Sequence, residues 1–126
     1  MSTRIPEFYL AFEAGGAIPA NRLVKFGSGD RKAVVATAAA DAICGVSDLA
    51  AATDERLDVG VAGVLPVTYG GTVTRGDLLV SDSTGRAVTA APAAGANVRI
   101  AGIAMVSGVV GDLGSVLFNP GSLQGA

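Results

Sequence analysis

Residues 70–88, GGTVTRGDLLVSDSTGRAV, decide the fold of this chain. Two short β-prone runs flank a polar turn, Asp-Ser-Thr-Gly at 82–85, and this pattern is typical of a β-hairpin. Gly76 and Gly85 are predicted to give the two turns their backbone freedom, and Asp77 to cap the first of them. The apolar residues of the hairpin are expected to fill a core: Leu78, Leu79, Val80 and Val88. The hairpin is thus predicted to be scaffold rather than a chemical site.

The rest of the chain continues this pattern, because turn-forming residues recur about every eight to twelve positions, as in a small barrel or sandwich. A short helical turn is expected at 38–42, a helical turn or a loop within 47–54, and a non-helical turn at 118–121. The predicted strands are 23–26, 32–37, 43–47, 57–69, 78–81, 86–89, 98–106 and 115–118. The sequence therefore predicts an all-β fold, a small β-barrel with short helical turns and an extended N-terminal arm.

An internal similarity supports this layout. Residues 23–47, LVKFGSGDRKAVVATAAADAICGVS, resemble residues 79–104, LVSDSTGRAVTAAPAAGANVRIAGIA. Each stretch contains a strand, a polar turn, an Ala-Val strand, an alanine-rich linker and an Ile-X-Gly motif. The spacing is that of one duplicated β unit rather than of a solenoid. We therefore predict a single β-rich domain over 21–126, with a weak internal repeat, preceded by an arm over 1–20.

The predicted arm concentrates aromatic residues, because Phe8, Tyr9 and Phe12 lie between two prolines. An extended segment with such anchors can add to the sheet edge of a partner. Two alternatives remain open: the segment is the first strand of its own barrel, or it crosses to a neighbouring subunit. Strand 98–106 is apolar on both faces, so it is expected to be central in a closed barrel or covered by another subunit.

Composition limits the classes of function. Charged residues make up 16% of the 126-residue chain, against about 25% in an average domain. So little charge leaves apolar surface exposed, which predicts an oligomer or a protein that docks on a large partner. The net charge of −2 without a basic block argues against nucleic-acid binding. No apolar run is long enough to span a bilayer, so no membrane partner is expected.

The sequence offers little for catalysis. It has no histidine, and its one cysteine, Cys44, lies in an apolar run that predicts a buried, inert thiol. A lone cysteine also fits synthesis in a reducing cytoplasm. No zinc, calcium, nucleotide or dinucleotide motif occurs. We therefore predict no catalytic residues, no cofactor and no metal, and an enzyme is the least expected class.

A carrier module of the biotinyl or lipoyl (hammerhead) type is the alternative from another class. Such domains also have a Gly-Asp-Leu-Leu strand that enters a hairpin, and they carry the cofactor on a lysine at its tip. Here the tip at 82–85 has no lysine, and the two lysines of the chain, Lys25 and Lys32, flank the earlier turn. A binding module of a multi-component enzyme system therefore stays as the alternative function, without its attachment residue.

Several pieces in order resemble the capsid decoration, or cement, proteins of tailed bacteriophages. They are AICGVSDLAAATDERLDVGVAGVLPVTYGG at 42–71, GDLLVSDSTGRAV at 76–88, VRIAGIAM at 98–105 and GDLGSVLFNPG at 111–121. The resemblance spans roughly residues 22–119. It implies a compact β-barrel or β-tulip domain that forms trimers on the outside of the head. It also implies that the trimers bridge neighbouring major capsid proteins, without any catalytic residue.

This resemblance turns the N-terminal arm into the candidate contact to the capsid or to a neighbouring subunit. The residues expected to make it are Arg4, Ile5, Phe8, Tyr9, Leu10 and Phe12. The expected location is the outer capsid surface of the virion, after synthesis in the cytoplasm of the bacterial host. A receptor-facing base of a head fibre is a weaker idea, because the chain is short and has no fibre-like repeat.

Overall fold

Nine β-strands build the part of the chain that the computed structural model describes, residues 7–125, with no side chain described for Glu7. This part contains no helix, and thus none long and apolar enough to cross a membrane. The strands are β1 (Glu7–Ala14), β2 (Leu23–Phe26), β3 (Lys32–Val35), β4 (Ile43–Ser47), β5 (Arg56–Thr68), β6 (Leu78–Ser81), β7 (Ala87–Thr89), β8 (Asn97–Ala104) and β9 (Leu113–Gln124).

Five strands close into a mixed barrel in the order β1-β3-β2-β4-β5, because β1 also pairs with β5. The β1–β5 pair is antiparallel, and β1 meets β3 in parallel only at Glu13 and Ala14. The other pairs in this barrel are antiparallel. Closure satisfies backbone groups that an open sheet would leave at its edges. The prediction of an all-β barrel fold is confirmed.

The long strand β5 joins this barrel to a second sheet. Its first part, up to Gly63, pairs with β1, and residues 64–68 pair with β9. Gly63 has a φ of 93°, a left-handed conformation that favours glycine and lets the strand change partners. The second sheet has the order β5-β9-β8-β6-β7. A parallel bridge from Tyr69 to Ala87 brings its two ends together.

The second sheet repeats the arrangement of the barrel, since β3-β2-β4-β5 and β7-β6-β8-β9 follow the same order. Equivalent backbone contacts recur in both. The bridge Ile18–Ala51 corresponds to Val73–Gly108, and the strand pair Leu23–Val46 corresponds to Leu78–Ile103. The bond from the Ala14 N–H to the Glu55 carbonyl corresponds to the bond from the Tyr69 N–H to the Asp112 carbonyl. We call β1 to β5 the first barrel and β5 to β9 the second barrel, with β5 shared.

The repeat includes the N-terminal segment. β1 corresponds to the second part of β5, because each lies antiparallel to the last strand of its barrel. The arm expected over residues 1–20 is therefore a barrel strand at 7–14, where pairing to β5 and β3 satisfies its backbone groups. Arg4 and Ile5 lie outside the described residues.

Each barrel has its own apolar core. The first barrel buries Ala14, Ile18, Val24, Ala33, Ala51, Leu57 and Val59. The second barrel buries Leu65, Val67, Tyr69, Val73, Leu79, Ala87, Ala101, Ala104 and Val116. Leu23, Ala36, Ile43 and Val46 of the first copy belong to this second cluster. The two barrels therefore pack against each other through one continuous apolar interface.

The two interiors fill equivalent space with different residues. Ala14 and Leu57 pack in the first barrel, and their counterparts in the second are Tyr69 and Gly114. A Cβ on Gly114 would overlap the ring of Tyr69. The Tyr69 hydroxyl donates to the carbonyl of Val106 over 2.6 Å. The first barrel thus pairs a small residue, Ala14, with a large one, Leu57. The second barrel pairs a large residue, Tyr69, with a small one, Gly114, which keeps the filled volume similar.

Two local predictions need correction. The helical turn expected at 38–42 is a non-helical turn, in which the Asp41 N–H bonds the Ala38 carbonyl and the Asp41 carboxylate accepts from the Thr37 N–H at 2.8 Å. Such side-chain bonds compete with a helix. The 47–54 segment likewise contains no helix.

The turn expected at 118–121 lies inside β9. Gly121 pairs with Ile100 and Phe118 with Gly102, so residues 119 and 120 together oppose the single residue 101. This is a β-bulge, in which one residue is left out of the strand pairing. Pro120 is tolerated there because proline has no N–H to donate. Strand β9 therefore runs on to Gln124.

Candidate interaction surfaces

The described residues contain neither a cluster of potential metal ligands nor a reactive thiol. No group of three or more potential metal ligands occurs within residues 7–125. Burial raises the pKa of the Cys44 thiol to about 11, so the thiol stays protonated at neutral pH and is a poor nucleophile. The Cys44 Sγ instead lies 3.5 Å from the Val24 carbonyl.

The hairpin at 70–88 is scaffold at its turns. Gly76 and Gly85 have φ angles of 97° and 78°. At Gly85 a Cβ would lie 2.7 Å from Val35 Cγ1 and 2.9 Å from the Leu23 carbonyl oxygen, so this turn packs against the first barrel. Asp77 accepts from the Thr74 N–H at 2.9 Å, as a cap does.

The expectation that all four hairpin side chains fill a core holds for Leu79 and Val80, which are buried. It is wrong for Leu78, which is 39% exposed, and Val88 is half-buried. Leu78 and Val80 lie on the opposite face of β6 from Leu79, because side chains alternate along a strand. On that face Val80 is buried with Val98 and Ile100, whereas Leu78 is exposed.

Asp82 organises the hairpin tip. Its carboxylate accepts from the backbone N–H groups of Thr84 and Arg86, each at 2.9 Å, and forms an ion pair of 2.9 Å with the Arg86 guanidinium. Burial alone would raise the pKa of this carboxyl, but these donors outweigh it and the pKa lies below its ordinary value.

We expect Asp82→Asn to lower the free energy of unfolding at pH 7 by about 1–2 kcal/mol, because charge-assisted bonds are lost. Since the folded pKa lies below the unfolded one, the carboxylate's contribution is complete above about pH 4 and is lost as the pH falls through the folded pKa. Urea unfolding of both proteins at pH 7 and near pH 3 checks this. An equal difference at both pH values would contradict it.

The first exposed apolar surface lies on β1. Phe8 and Leu10 are 69% and 54% exposed, and Tyr9 is also exposed. Phe12 is half-buried against the core of the first barrel, with its ring centroid 6.5 Å from that of Phe26. The structure thus brings together the described candidates of the N-terminal segment on one strand. Phe8, Tyr9 and Leu10 are left facing solvent.

The second exposed apolar surface consists of the loop between β8 and β9, residues 105–112, and of Leu113 at the start of β9; we call residues 105–113 the apolar loop. Val109, Val110 and Leu113 are each more than half exposed, and Met105 and Val106 are also exposed. The loop is held rigidly. The Asp112 carboxylate accepts from the Val109 N–H at 2.9 Å, and Val73 and Gly108 exchange backbone bonds.

Sequence reasoning missed the apolar loop as a surface, although the repeat contained the information. In the first barrel the equivalent loop has the same backbone bonds, with Glu55 in the place of Asp112 and Ala52 in the place of Val109. That loop carries Ala52, Thr53 and Arg56 at the places of Val109, Val110 and Leu113. Because the same loop backbone forms with small or polar residues in the first barrel and with valines in the second, the fold does not require the valines.

Comparisons with known proteins agree with this picture of a scaffold with interaction surfaces. A family model described as phage cement protein matches residues 7–115. The chain also resembles the crystal structure of the head fiber gp8.5 N base in bacteriophage phi29, with a TM-score of 0.66 and 18% sequence identity. That match covers 90% of this chain and 95% of the other. No curated protein sequence matches. The structural likeness shows a shared fold.

Proposed function

This chain belongs to the phage cement protein family, a structural and non-enzymatic family, and from that membership we propose that it decorates and stabilises the outer surface of a phage head. In this proposal the chain bridges neighbouring major capsid proteins and acts as a homotrimer. A protein that binds the assembled shell but not its separate parts stabilises the shell by mass action. Many copies on one lattice add their effects through multivalency.

One observation supports this function most strongly. The described residues form a closed, packed scaffold that exposes large apolar side chains on β1 and on the apolar loop. Exposed apolar patches on a rigid scaffold mark interaction sites. A structural protein that works by contact needs this combination, whereas a carrier module would need an attachment residue.

We propose that the apolar loop contacts the capsid. Its valines extend from a loop that backbone bonds hold in place, so binding orders little additional chain and loses little entropy. The N-terminal surface, with Phe8, Tyr9, Leu10 and Phe12, remains a proposed contact to the capsid or to a neighbouring subunit, together with Arg4 and Ile5.

The double change Val109→Asp with Val110→Asp is expected to weaken binding to heads at least about tenfold, because two apolar contacts become charges that must be desolvated. The measurement is co-sedimentation with expanded empty heads of the cognate phage. The urea midpoint should stay within experimental error, since both side chains are exposed.

The matched control is Ala52→Asp with Thr53→Asp, at the equivalent places of the first barrel. These changes add the same charge on the same backbone geometry, and binding to heads should be kept. Equal loss in both double variants would show a general effect of charge and would sink the assignment to the apolar loop.

The carrier-module alternative has less support in the structure. The hairpin tip is occupied by the Asp82 network, and the two lysines form ion pairs, Lys25 with Asp41 at 3.1 Å and Lys32 with Glu13 at 3.3 Å. A stable monomer that does not sediment with heads would favour that alternative.

A further inference from the structure

The first and second barrels contact each other within one chain. Leu23 on β2 pairs with Val46 on β4, which pairs with Gly60 on β5, so these residues form a cross-strand row on the outside of the first barrel. We call it the inner row. Its Leu23 and Val46 share a buried cluster with Leu65 of the second barrel, and a Cβ on Gly60 would lie 2.7 Å from Leu65 Cδ2. The inner row thus covers the end of the second barrel at Leu65.

The counterpart of this row in the second barrel is less covered by residues 7–125. Leu78 pairs with Ile103, and Ile103 pairs with Leu117, at the places equivalent to Leu23, Val46 and Gly60. We call these three residues the outer row. Leu78 and Leu117 are each 39% exposed and Ile103 is half-buried, whereas Leu23 is fully buried.

The counterpart of Leu65 is also less covered. Leu10 pairs with Val59 as Leu65 pairs with Val116, so Leu10 marks the equivalent end of the first barrel. Leu65 is 1% exposed and Leu10 is 54% exposed. The neighbouring interior follows the same trend. Phe12 is only half-buried, whereas Val67, its counterpart, is fully buried.

Each chain therefore has one exposed row and one exposed barrel end, and a contact between surfaces of this kind is already made inside the chain. We propose that the outer row of one copy covers the Leu10 end of the first barrel of the next copy. The contact repeats between molecules the packing that joins the two barrels within one molecule. This inference rests on the proposed function in so far as that function includes a homo-oligomer.

The edge of this contact carries charges that the contact within the chain does not have. Within the chain, the turn at Gly85 meets β2, where the Leu23 N–H donates to the Gly85 carbonyl and Arg22 Nη1 donates to the Thr84 carbonyl. Between two molecules, the turn of the first barrel takes the place of the Gly85 turn. It carries Arg31, which is exposed and has a φ of 67°, at the place of Gly85. Asp77 stands at the place of Arg22. Arg31, a cation, would thus approach the anion Asp77, and so would Asp30, which stands at the place of Thr84.

Arg31 also sets a difference between the two contacts. Gly85 fits against β2 because it has no side chain, whereas Arg31 needs room for its own. The copies must therefore stand slightly further apart at this edge than the two barrels do. The guanidinium fills that gap beside Asp77.

This contact is head-to-tail, because the two surfaces differ. Each copy then uses one of each, and the assembly closes into a ring or grows as a filament. The smallest such ring is a twofold dimer, in which the outer row of each copy covers the Leu10 end of the other. The alternative is a contact of either surface with itself. The two arrangements give different results when variants are mixed.

The first test measures molar mass by light scattering as a function of protein concentration. Leu10→Asp and Leu117→Asp should each raise the dissociation constant for self-association at least about tenfold. Leu49→Asp, at an exposed leucine outside both surfaces, is the control and should associate as the unchanged protein does. Urea midpoints of all three variants check that they fold.

Mixing the variants distinguishes the geometries. A one-to-one mixture of Leu10→Asp and Leu117→Asp retains one intact row and one intact barrel end, and should give dimers that neither variant forms alone. A contact of the outer row with itself would let Leu10→Asp associate alone, and a contact of the Leu10 end with itself would let Leu117→Asp associate alone; either result would overturn the proposal.

A crosslink tests the neighbours directly. In a Cys44→Ala background, a chain with both Leu10→Cys and Leu117→Cys should form disulfide-linked multimers in air, and each single-cysteine chain should not. A monomer at every concentration, or multimers from one single-cysteine chain alone, would overturn the proposal.

Head binding is scored separately by co-sedimentation. If unchanged protein associates through the two surfaces but ignores heads, the proposed function fails and the head-to-tail contact stands. If it binds heads while Leu10→Asp and Leu117→Asp leave its molar mass unchanged, the contact fails and the function stands.

Discussion

Tyr69→Ala is expected to lower the free energy of unfolding by about 3–5 kcal/mol, the usual cost of removing a buried ring from a core. Tyr69 is fully buried in the second barrel. Its loss leaves a cavity beside Gly114, where no side chain can expand into the space. It also removes the hydroxyl that donates to the Val106 carbonyl, a bond of 2.6 Å. Urea or thermal unfolding measures the effect.

The repeat supplies its own rescue experiment. The double change Tyr69→Ala with Gly114→Leu installs the pair that fills the first barrel, Ala14 and Leu57. We expect it to recover at least half of the lost free energy, because the new leucine fills the cavity. Gly114→Leu alone should be severely destabilising, since its side chain would overlap the Tyr69 ring. A double variant no better than Tyr69→Ala would contradict the equivalence of the two interiors.

Gly102→Ala is expected to cost about 3 kcal/mol or more, at the upper end for overpacking. A Cβ there would overlap the Leu117 carbonyl oxygen and would lie 2.8 Å from Val116 Cγ2. The first obstacle is backbone, which cannot rotate away as a side chain can. Its counterpart Gly45 meets the Gly60 carbonyl oxygen in the same way, and Gly45→Ala should be similarly damaging.

Gly121→Ala is the matched control for these glycines. It lies in the same strand pair as Gly102, is exposed, and has no atom within 4 Å of an added Cβ. Its effect should stay within about 0.5 kcal/mol, as for an ordinary surface change. If Gly102→Ala were equally mild, the close approach of β8 and β9 would be wrong.

Most strands could be predicted because the residues that form their turns are recognisable in the local sequence. β2, β4 and β6 have the predicted bounds, since glycine or polar turn residues end each of them. β9 was predicted too short, because Asn119-Pro120-Gly121 has the composition of a turn and a bulge can accommodate it. The helical turn predicted at 38–42 was wrong because the Asp41 carboxylate accepts bonds from the N–H groups of Thr37 and Ala38, which alanine content does not show.

The surfaces were predictable only in part. The aromatic residues of the N-terminal segment were identified from composition, but whether they pair with their own barrel depends on long-range partners in β5. The exposure of Leu78 follows from the parity of β6 together with what packs behind it, which no local pattern contains. The apolar loop would have emerged from extending the repeat beyond residue 104 and comparing the two loops position by position.

The most direct test of the central claim is electron cryomicroscopy of expanded heads of the cognate phage after incubation with purified protein. The account predicts extra density on the outer surface, placed between neighbouring major capsid proteins and occupied by this fold. It further predicts that heads incubated with the Val109→Asp and Val110→Asp double variant lack most of that density. Bare outer surfaces after incubation with unchanged, folded protein would contradict the account.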